Sequence, residues 1–263
     1  MECDDTAFVL ITDANYFPRA KQTITDIRIK GKWLGTIALI TIDFELDDNF
    51  KDYYEVTEVK IKPLDKEKLI NLIPEGGFPG SDKREINLVN QWEKLQVFDD
   101  FFRKWNRVVF MDAGMRVLDS VQYLLELDYK GCILQHYEKH SKFYDALYKG
   151  NESILEMVRD NFGETIESES VYLNGLWVYD TNILDICNKE ELMKGMYKYP
   201  LCLRNEMTLM QLFFNFKHDL VKPLPVKSSN DKYLFGWSDV DYQGTTWRDF
   251  CLIKYPATIG FST

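Results

Sequence analysis

The sequence predicts an α/β fold with a mostly parallel central sheet flanked by helices, and three observations predict it. Phe8-Val-Leu-Ile11, Thr36-Ile-Ala-Leu-Ile-Thr-Ile42 and Val108-Val-Phe-Met111 are apolar runs without polar alternation, the pattern of strands covered on both faces. A helix-like segment from Pro18 to about Lys30 separates the first two runs. Strand, helix and strand within roughly 35 residues form a βαβ unit, which carries a right-handed crossover and a parallel pair. Finally, Asp112 closes the third run, and in open α/β sheets ligands gather outside the carboxyl ends of the strands.

Size and charge narrow the class. With 263 residues, 45% of them apolar, the chain can bury a full core, and α/β domains of this size need not divide. One domain over residues 1–263 is therefore expected. The formal net charge of −10 argues against a general nucleic-acid binder, whose affinity rests on lysines and arginines set against phosphates. A phosphorylated small ligand would need a local lysine or a metal instead.

The opening residues Met1-Glu-Cys-Asp-Asp-Thr6 lack the basic and apolar regions of a signal peptide. No apolar run approaches bilayer length, so no membrane span is expected. Cys3, Cys132, Cys187, Cys202 and Cys251 are odd in number, scattered and without a Cys-x-x-Cys pair. They read as reduced thiols of a cytoplasmic protein. Asn151-Glu-Ser153 matches a glycosylation sequon by chance on this reading.

In chain order, Pro18 suits a first helical position, followed by Ala20, Ile24, Ile27 and Arg28 at helical spacing. A third strand is expected from Tyr54 to Ile61. Pro74-Glu-Gly-Gly-Phe-Pro-Gly80 reads as a flexible loop able to fold over a site. From Asp82 to Trp105 one long helix is predicted, with Asp82 and Glu85 as a capping box and Ile86, Val89, Trp92, Leu95, Phe98, Phe102 and Trp105 recurring at helical intervals.

Beyond Asp112 the pattern gives a short helix from Leu118 to Leu127, a strand from Gly131 to His136 and helical material from Lys142 to about Phe162. Ser170 to Asp180 is strand-like on both sides of Asn174-Gly175, a pair that is also a common hairpin turn. Arg204 to Phe214 reads as the start of an amphipathic helix with Asn205 near its cap. Phe250 to Ile253 is a last strand before Lys254-Tyr-Pro256.

Several polar residues stand out, each with a plain alternative. Asp112 is a site acid at a strand end or a turn former ahead of Gly114. On a helical wheel Lys94 falls between Val97, Phe98 and Phe101, so it either snorkels to water or presents its ammonium to an anion. Glu206 is a reaction-centre carboxylate or a solvated acid in a first helical turn. Asn205 orients a hydroxyl or caps the helix, and His136 is a strand-end core histidine or a ligand.

Taken together, these segments resemble a nucleotide-sugar glycosyltransferase of the GT-A fold, a Rossmann-like domain, and are most similar to the glycogenin-like family 8. Thr12-Asp13-Ala-Asn15-Tyr16 resembles the family's first turn, where the Asp and Tyr hold the base and the Asn lies near ribose and phosphates. Lys94 stands where the family carries a basic residue on the helix before its metal motif. Val108 to Val117 resembles the strand and Asp-x-Asp motif, with Asp112 as the first acid and Ala113 and Gly114 in its other positions. Asn174-Gly175 resembles the step that contacts the donor sugar, Asn205-Glu206 the pair beside the reaction centre, and Lys254-Tyr-Pro256 the closing Lys-Pro that reaches the diphosphate.

The resemblance implies transfer of a sugar, from UDP most commonly and with retention, to a glycan or other hydroxyl acceptor. Such a reaction expels a diphosphate, whose charge must be stabilised. A Mn²⁺ or Mg²⁺ ion on Asp112 and the diphosphate, together with Lys94 and Lys254, is the arrangement the resemblance implies first.

Gly114 replaces the second acid, however, and Arg248 lies near the place of the family's C-terminal metal-binding His. Asp13 or His136 could complete the shell, or lysines could act without a metal. Two other enzyme classes fit less well. A haloacid-dehalogenase-type phosphatase needs an acid at position 114, and a sugar nucleotidylyltransferase needs a glycine-rich loop where Thr12 to Tyr16 has no glycine. A non-catalytic nucleotide-sugar binder of the same fold is the serious alternative.

Overall fold

The computed structural model describes residues 5–65, 67, 71, 88–147, 152–200, 206–236 and 244–254. The Pro74–Gly80 loop, the Asp82–Glu85 capping box, Asn205 and Tyr255-Pro256 lie outside the described residues.

The first βαβ unit forms as its pattern predicts. Strand β1 (Thr6–Thr12) is buried at every residue. Helix α1 (Phe17–Ile29) carries Pro18 in its first turn, and β2 (Thr36–Thr41) runs parallel to β1 in the register Val9↔Ala38. Helix α2 (Asp48–Tyr54), which the apolar pattern does not announce, is capped by Asp47 accepting from the Phe50 amide. It uses the residues expected to begin the third strand, so β3 is confined to Val56–Val59.

Strand β4 (Arg107–Met111) returns to the other side of β1, again parallel. Three residues later β5 (Met115–Val117) leaves in a new direction. β6 (Ile133–Lys142) and β7 (Ser170–Asp180) form an antiparallel pair, β7 lies antiparallel to β4, and β8 (Val221–Pro223) joins β6 in parallel. The seven-stranded order is β3-β2-β1-β4-β7-β6-β8. A second sheet of three strands, β5-β10-β9, is made with β9 (Tyr233–Gly236) and β10 (Phe250–Lys254).

Side chains alternate between the two faces of the large sheet. Ala7, Val9 and Ile11 enter one apolar cluster with Trp92, Phe98 and Trp177, while Phe8 and Leu10 enter another with Ile24, Ile27 and Trp33. Phe110 stacks on Trp177 with ring centroids 3.8 Å apart, directly beneath the carboxyl end of β4.

The expected long helix before β4 is corrected. The helix predicted from Asp82 to Trp105 is α-helical, within the described residues, only over Leu88–Gln91. It then tightens to 3-10 turns at Trp92–Phe98 and restarts at Asp100–Lys104, with Asp99 as the new cap. The cause is tertiary. Glu93 accepts the Leu64 amide and Gln96 donates to the Lys62 carbonyl, and Trp92, Leu95 and Phe98, all buried, repeat every third residue, which suits three residues per turn.

At Asn174-Gly175 the strand reading holds over the hairpin alternative. β7 runs through the dipeptide, and the register against β6 jumps from Gln135↔Trp177 to His136↔Leu173, so the pair lies in a bulge inside a buried strand. Elsewhere the predicted Leu118–Leu127 helix shrinks to Gln122–Leu125. The segment from Lys142 gives a short turn at Phe143–Ala146 and a helix at Glu152–Phe162. Among the described residues no helix is long and apolar enough to cross a membrane.

Candidate functional site at the carboxyl edge of β1 and β4

β1, β2 and β3 progress in one direction across the sheet, and the chain then crosses back to place β4 on the other side of β1. Adjacent parallel strands whose connections leave in opposite directions open a crevice at their carboxyl ends. The β1 end leads into Thr12 to Tyr16 and the β4 end into Asp112 to Gly114.

Four charged side chains meet at Asp112. Lys94 Nζ lies 2.8 Å from Asp112 Oδ1 and 3.0 Å from Glu206 Oε1, and Lys254 Nζ donates to Asp112 Oδ2. Each comes from a different element: Lys94 from the 3-10 turn, Asp112 from the end of β4, Glu206 from the start of a helix at Glu206–Met210, and Lys254 from the last position of β10. The small sheet delivers Lys254, because β10 pairs with β5 in the register Lys254↔Met115.

All four groups are largely withdrawn from solvent. Glu206 is 2% exposed, Lys254 6% and Asp112 8%. Lys94 therefore does not snorkel to water, and Glu206 is not a solvated helix-end acid.

Burial and charge compete at each group. Burial disfavours charge on Lys94, but Asp112 and Glu206 outweigh it and hold the ammonium above its ordinary pKa. Burial alone would raise the Asp112 carboxyl, yet Lys254 and Lys94 bring it below the usual carboxylate range. For Glu206 burial prevails over Lys94, and the charge of Asp112 adds to it, so its carboxyl is pushed up. Glu206 Oε2 is buried and without a hydrogen-bond partner among the described residues.

Asn174 joins this group. Its carbonyl oxygen lies 3.4 Å from Lys94 Nζ, its side-chain oxygen accepts from Gln135 Nε2 at 2.7 Å, and its amide nitrogen faces Met210 Sδ at 3.1 Å. Gly175 contributes its carbonyl to the Asp112 amide at 2.9 Å, extending the β4–β7 ladder to the site acid.

The turn after Asp112 explains Gly114. The Met115 amide donates to the Asp112 carbonyl at 3.1 Å, and Gly114, third of these four residues, has φ +90°, the position that selects glycine in a type II turn. Thr23 of α1 clamps this turn, accepting from the Gly114 amide at 3.0 Å and donating to the Met115 carbonyl at 2.8 Å. Ala113, half-buried, packs against the apolar cluster on the α1 face.

At the neighbouring strand end Asp13 is committed to its own turn, accepting from the Tyr16 amide at 2.8 Å and from Asn90 Nδ2 at 2.9 Å. Thr12 donates its hydroxyl to the Asp13 carbonyl, and Asp43 accepts the Ala14 amide. Asn15 is exposed, and the Tyr16 ring lies 5.1 Å from the Arg19 guanidinium carbon. The His136 ring packs on Phe235, and burial lowers its pKa. Arg248 sits in an exposed turn capped by Thr246. Both oxygens of Asp13 are thus spent away from Asp112, and both oxygens of Asp112 face ammonium groups.

Sequence reasoning overlooked Gln135, which touches Asn174 across the β6–β7 bulge, and Met210, which meets it from the helix at Glu206–Met210. A polar residue closing the apolar strand Cys132-Ile-Leu-Gln135 is the signal that marks Gln135.

No protein-family model matches the chain, and no curated protein matches it in sequence. Solved structures do resemble it. The galactosyltransferase LgtC, solved with donor and acceptor sugar analogues, has a TM-score of 0.60 at 11% identity over 95% of this chain and 87% of its own. The bifunctional glycosyltransferase WbbM, in its apo structure, has a TM-score of 0.58 at 13% identity over 96% of this chain and 46% of its own. GlyE of Streptococcus pneumoniae TIGR4 has a TM-score of 0.51 at 13% identity, with 83% and 44% covered. The chain thus spans less than half the length of WbbM and GlyE. The likeness establishes the fold: a central, mostly parallel sheet flanked by helices, as in GT-A glycosyltransferases.

Proposed function

We propose that residues 1–263 form one glycosyltransferase domain, similar to family 8, that moves a sugar from a nucleotide-diphosphate sugar to a glycan or other hydroxyl acceptor with retention. UDP is the first nucleotide to test. The observation that carries this reading is the Lys94–Asp112–Lys254 cluster at the switch point between β1 and β4. Two ammonium groups held at a crevice of a strongly acidic protein suit a diphosphate leaving group, whose charge must be stabilised as the glycosidic bond breaks.

The remaining residues take roles from this placement. Thr12, Asp13, Asn15 and Tyr16 line the neighbouring strand end, where the base and ribose would lie. Asn174 and Gly175 would meet the donor sugar and Glu206 the reacting carbon, with Asn205 assigned beside it from the sequence resemblance alone. Glu206 Oε2, buried and unpartnered among the described residues, is an acceptor able to take a sugar hydroxyl once substrate opens the cluster. Cys132, Cys187 and Cys251 are free and buried, which accords with a cytoplasmic setting.

A second reading is a nucleotide-sugar binder without turnover, favoured by the absence of a second acid at Gly114. Thermal shift with UDP- and GDP-sugars, followed by an assay for released nucleoside diphosphate, separates the two. Stabilisation with release supports transfer, and stabilisation without release under every acceptor tried supports the binder. No stabilisation by any sugar nucleotide removes both.

A further inference from the structure

We propose that Lys94 and Lys254 replace the divalent cation of this site, so that a nucleoside diphosphate binds directly to the two ammonium groups and does not require Mn²⁺ or Mg²⁺. The inference rests on the nucleotide-sugar reading above and names what would hold the donor's diphosphate there.

A carboxylate ligates a cation through its oxygen lone pairs, and Asp112 has committed both oxygens. Lys94 occupies Oδ1 at 2.8 Å, and Lys254 occupies Oδ2. A divalent ion on either oxygen would displace one ammonium and be repelled by the other at close range, in a site with little water to screen them.

The neighbouring position offers no second ligand. Gly114 has no side chain, and its φ of +90° is set by the turn that leads into β5, so an acid there is disfavoured by the backbone itself. Glu206, the other carboxylate in contact, gives Oε1 to Lys94 and is pushed toward its protonated form by burial. Among the described residues, one trio has the spacing to hold an ion, Cys187, Glu191 and His218. It follows the end of β7 and so lies at the opposite edge of the sheet, because Asp180 pairs with Arg107 at the start of β4.

What remains is a pair of cations on one carboxylate, a diphosphate-binding arrangement made of ammonium hydrogen bonds. Lys94 makes its longest contact, 3.4 Å, to the Asn174 carbonyl. That is the contact a phosphate oxygen would take over. Asp112 then acts as a positioning residue, aiming two lysines that start from a 3-10 turn and from a separate sheet.

The test is calorimetric binding of UDP and GDP to the full chain, in EDTA after removal of trace metal and again with saturating Mn²⁺. Equal affinity, within about threefold, is the expected result. Lys254→Met should weaken binding in EDTA by at least about tenfold, with Lys254→Arg recovering part of it. Asp112→Asn, read by affinity with and without Mn²⁺ rather than by turnover, should keep binding within about tenfold of the parent in both conditions, whereas loss of affinity confined to the Mn²⁺ titration would mark Asp112 as a metal ligand and overturn the inference. Because Lys94→Met threatens the fold, Lys254→Met carries the decision. Binding seen only with Mn²⁺ overturns the inference and leaves the nucleotide-sugar reading standing. Absence of binding under both conditions overturns the two together.

Discussion

Lys94 Nζ lies 2.8 Å from Asp112 Oδ1 and extends the same ammonium to Glu206 Oε1 at 3.0 Å, so one cation holds two buried carboxylates together. Removing Lys94 takes the cation from Glu206 while Asp112 keeps Lys254, and breaking a buried pair in this way costs about 3–5 kcal/mol. Lys94→Met should therefore lower unfolding free energy by about that amount in urea titration. Adding Glu206→Gln should restore part of the loss, because the group stranded by the first substitution is then a neutral amide and Asp112 still has Lys254. A single variant as stable as the parent would mean that the carboxylates find water or other cations.

The two acids give opposite pH dependences. Burial, reinforced by Asp112 and opposed by Lys94, raises the Glu206 carboxyl. Its proton is held more tightly in the folded chain, so its contribution to stability is complete below the unfolded value of about 4.3. That contribution is lost as pH rises through the folded pKa. Asp112 is lowered because Lys254 and Lys94 overcome its burial. Its contribution is complete above about 3.9 and lost as pH falls through the lower folded value. Glu206→Gln should accordingly lose less stability than the parent as pH rises above the unfolded value of about 4.3. Denaturant titrations at stepped pH measure this, and parallel curves for the two proteins would show that Glu206 titrates normally.

Gly114 tests the turn that delivers Asp112. An added Cβ would meet Arg19 Cδ at 3.5 Å, ordinary contact, so space is not what demands glycine. Backbone conformation is, at φ +90°. Gly114→Ala should cost about 1–3 kcal/mol, and Gly114→Asp a similar amount without gaining Mn²⁺ binding by calorimetry. A Gly114→Asp variant that binds Mn²⁺ tightly and melts no lower than the parent would place the metal site back in this turn.

These relationships show where the sequence was informative. β1, β2 and β4 were legible because strands buried on both faces must be apolar throughout, and the βαβ order fixes their parallel pairing. Asp112, Lys94 and Glu206 were picked out as polar residues at marked positions and Lys254 through the family resemblance, and the structure brings all four into one cluster. What patterning did not reveal was how Lys254 arrives. β5 has three residues, too few for any periodicity, and its partner β10 lies far along the chain. Continuous burial also disguised the 3-10 geometry around Lys94, because an every-third apolar repeat satisfies a helical wheel nearly as well as the true spacing. The bulge at Asn174-Gly175 was hidden for a related reason, since that dipeptide has a stronger local meaning as a turn and only pairing with both β4 and β6 makes it strand.

That bulge supports the last prediction. Asn174 is aimed by Gln135, whose Nε2 donates to its side-chain oxygen at 2.7 Å in a fully buried contact. Its backbone carbonyl faces Lys94, so the residue lies between the diphosphate end of the site and the place proposed for the donor sugar. Gln135→Leu would leave the Asn174 oxygen buried and unpaired, at a cost of about 1–3 kcal/mol, and would free the amide to rotate. If Asn174 serves the sugar, the variant should bind a nucleotide-sugar more weakly while its affinity for the bare nucleoside diphosphate stays unchanged, since the lysines and Asp112 are untouched. Calorimetry with the paired ligands reads the difference directly. Equal weakening for both would assign Gln135 to the framework of the sheet instead of to sugar recognition.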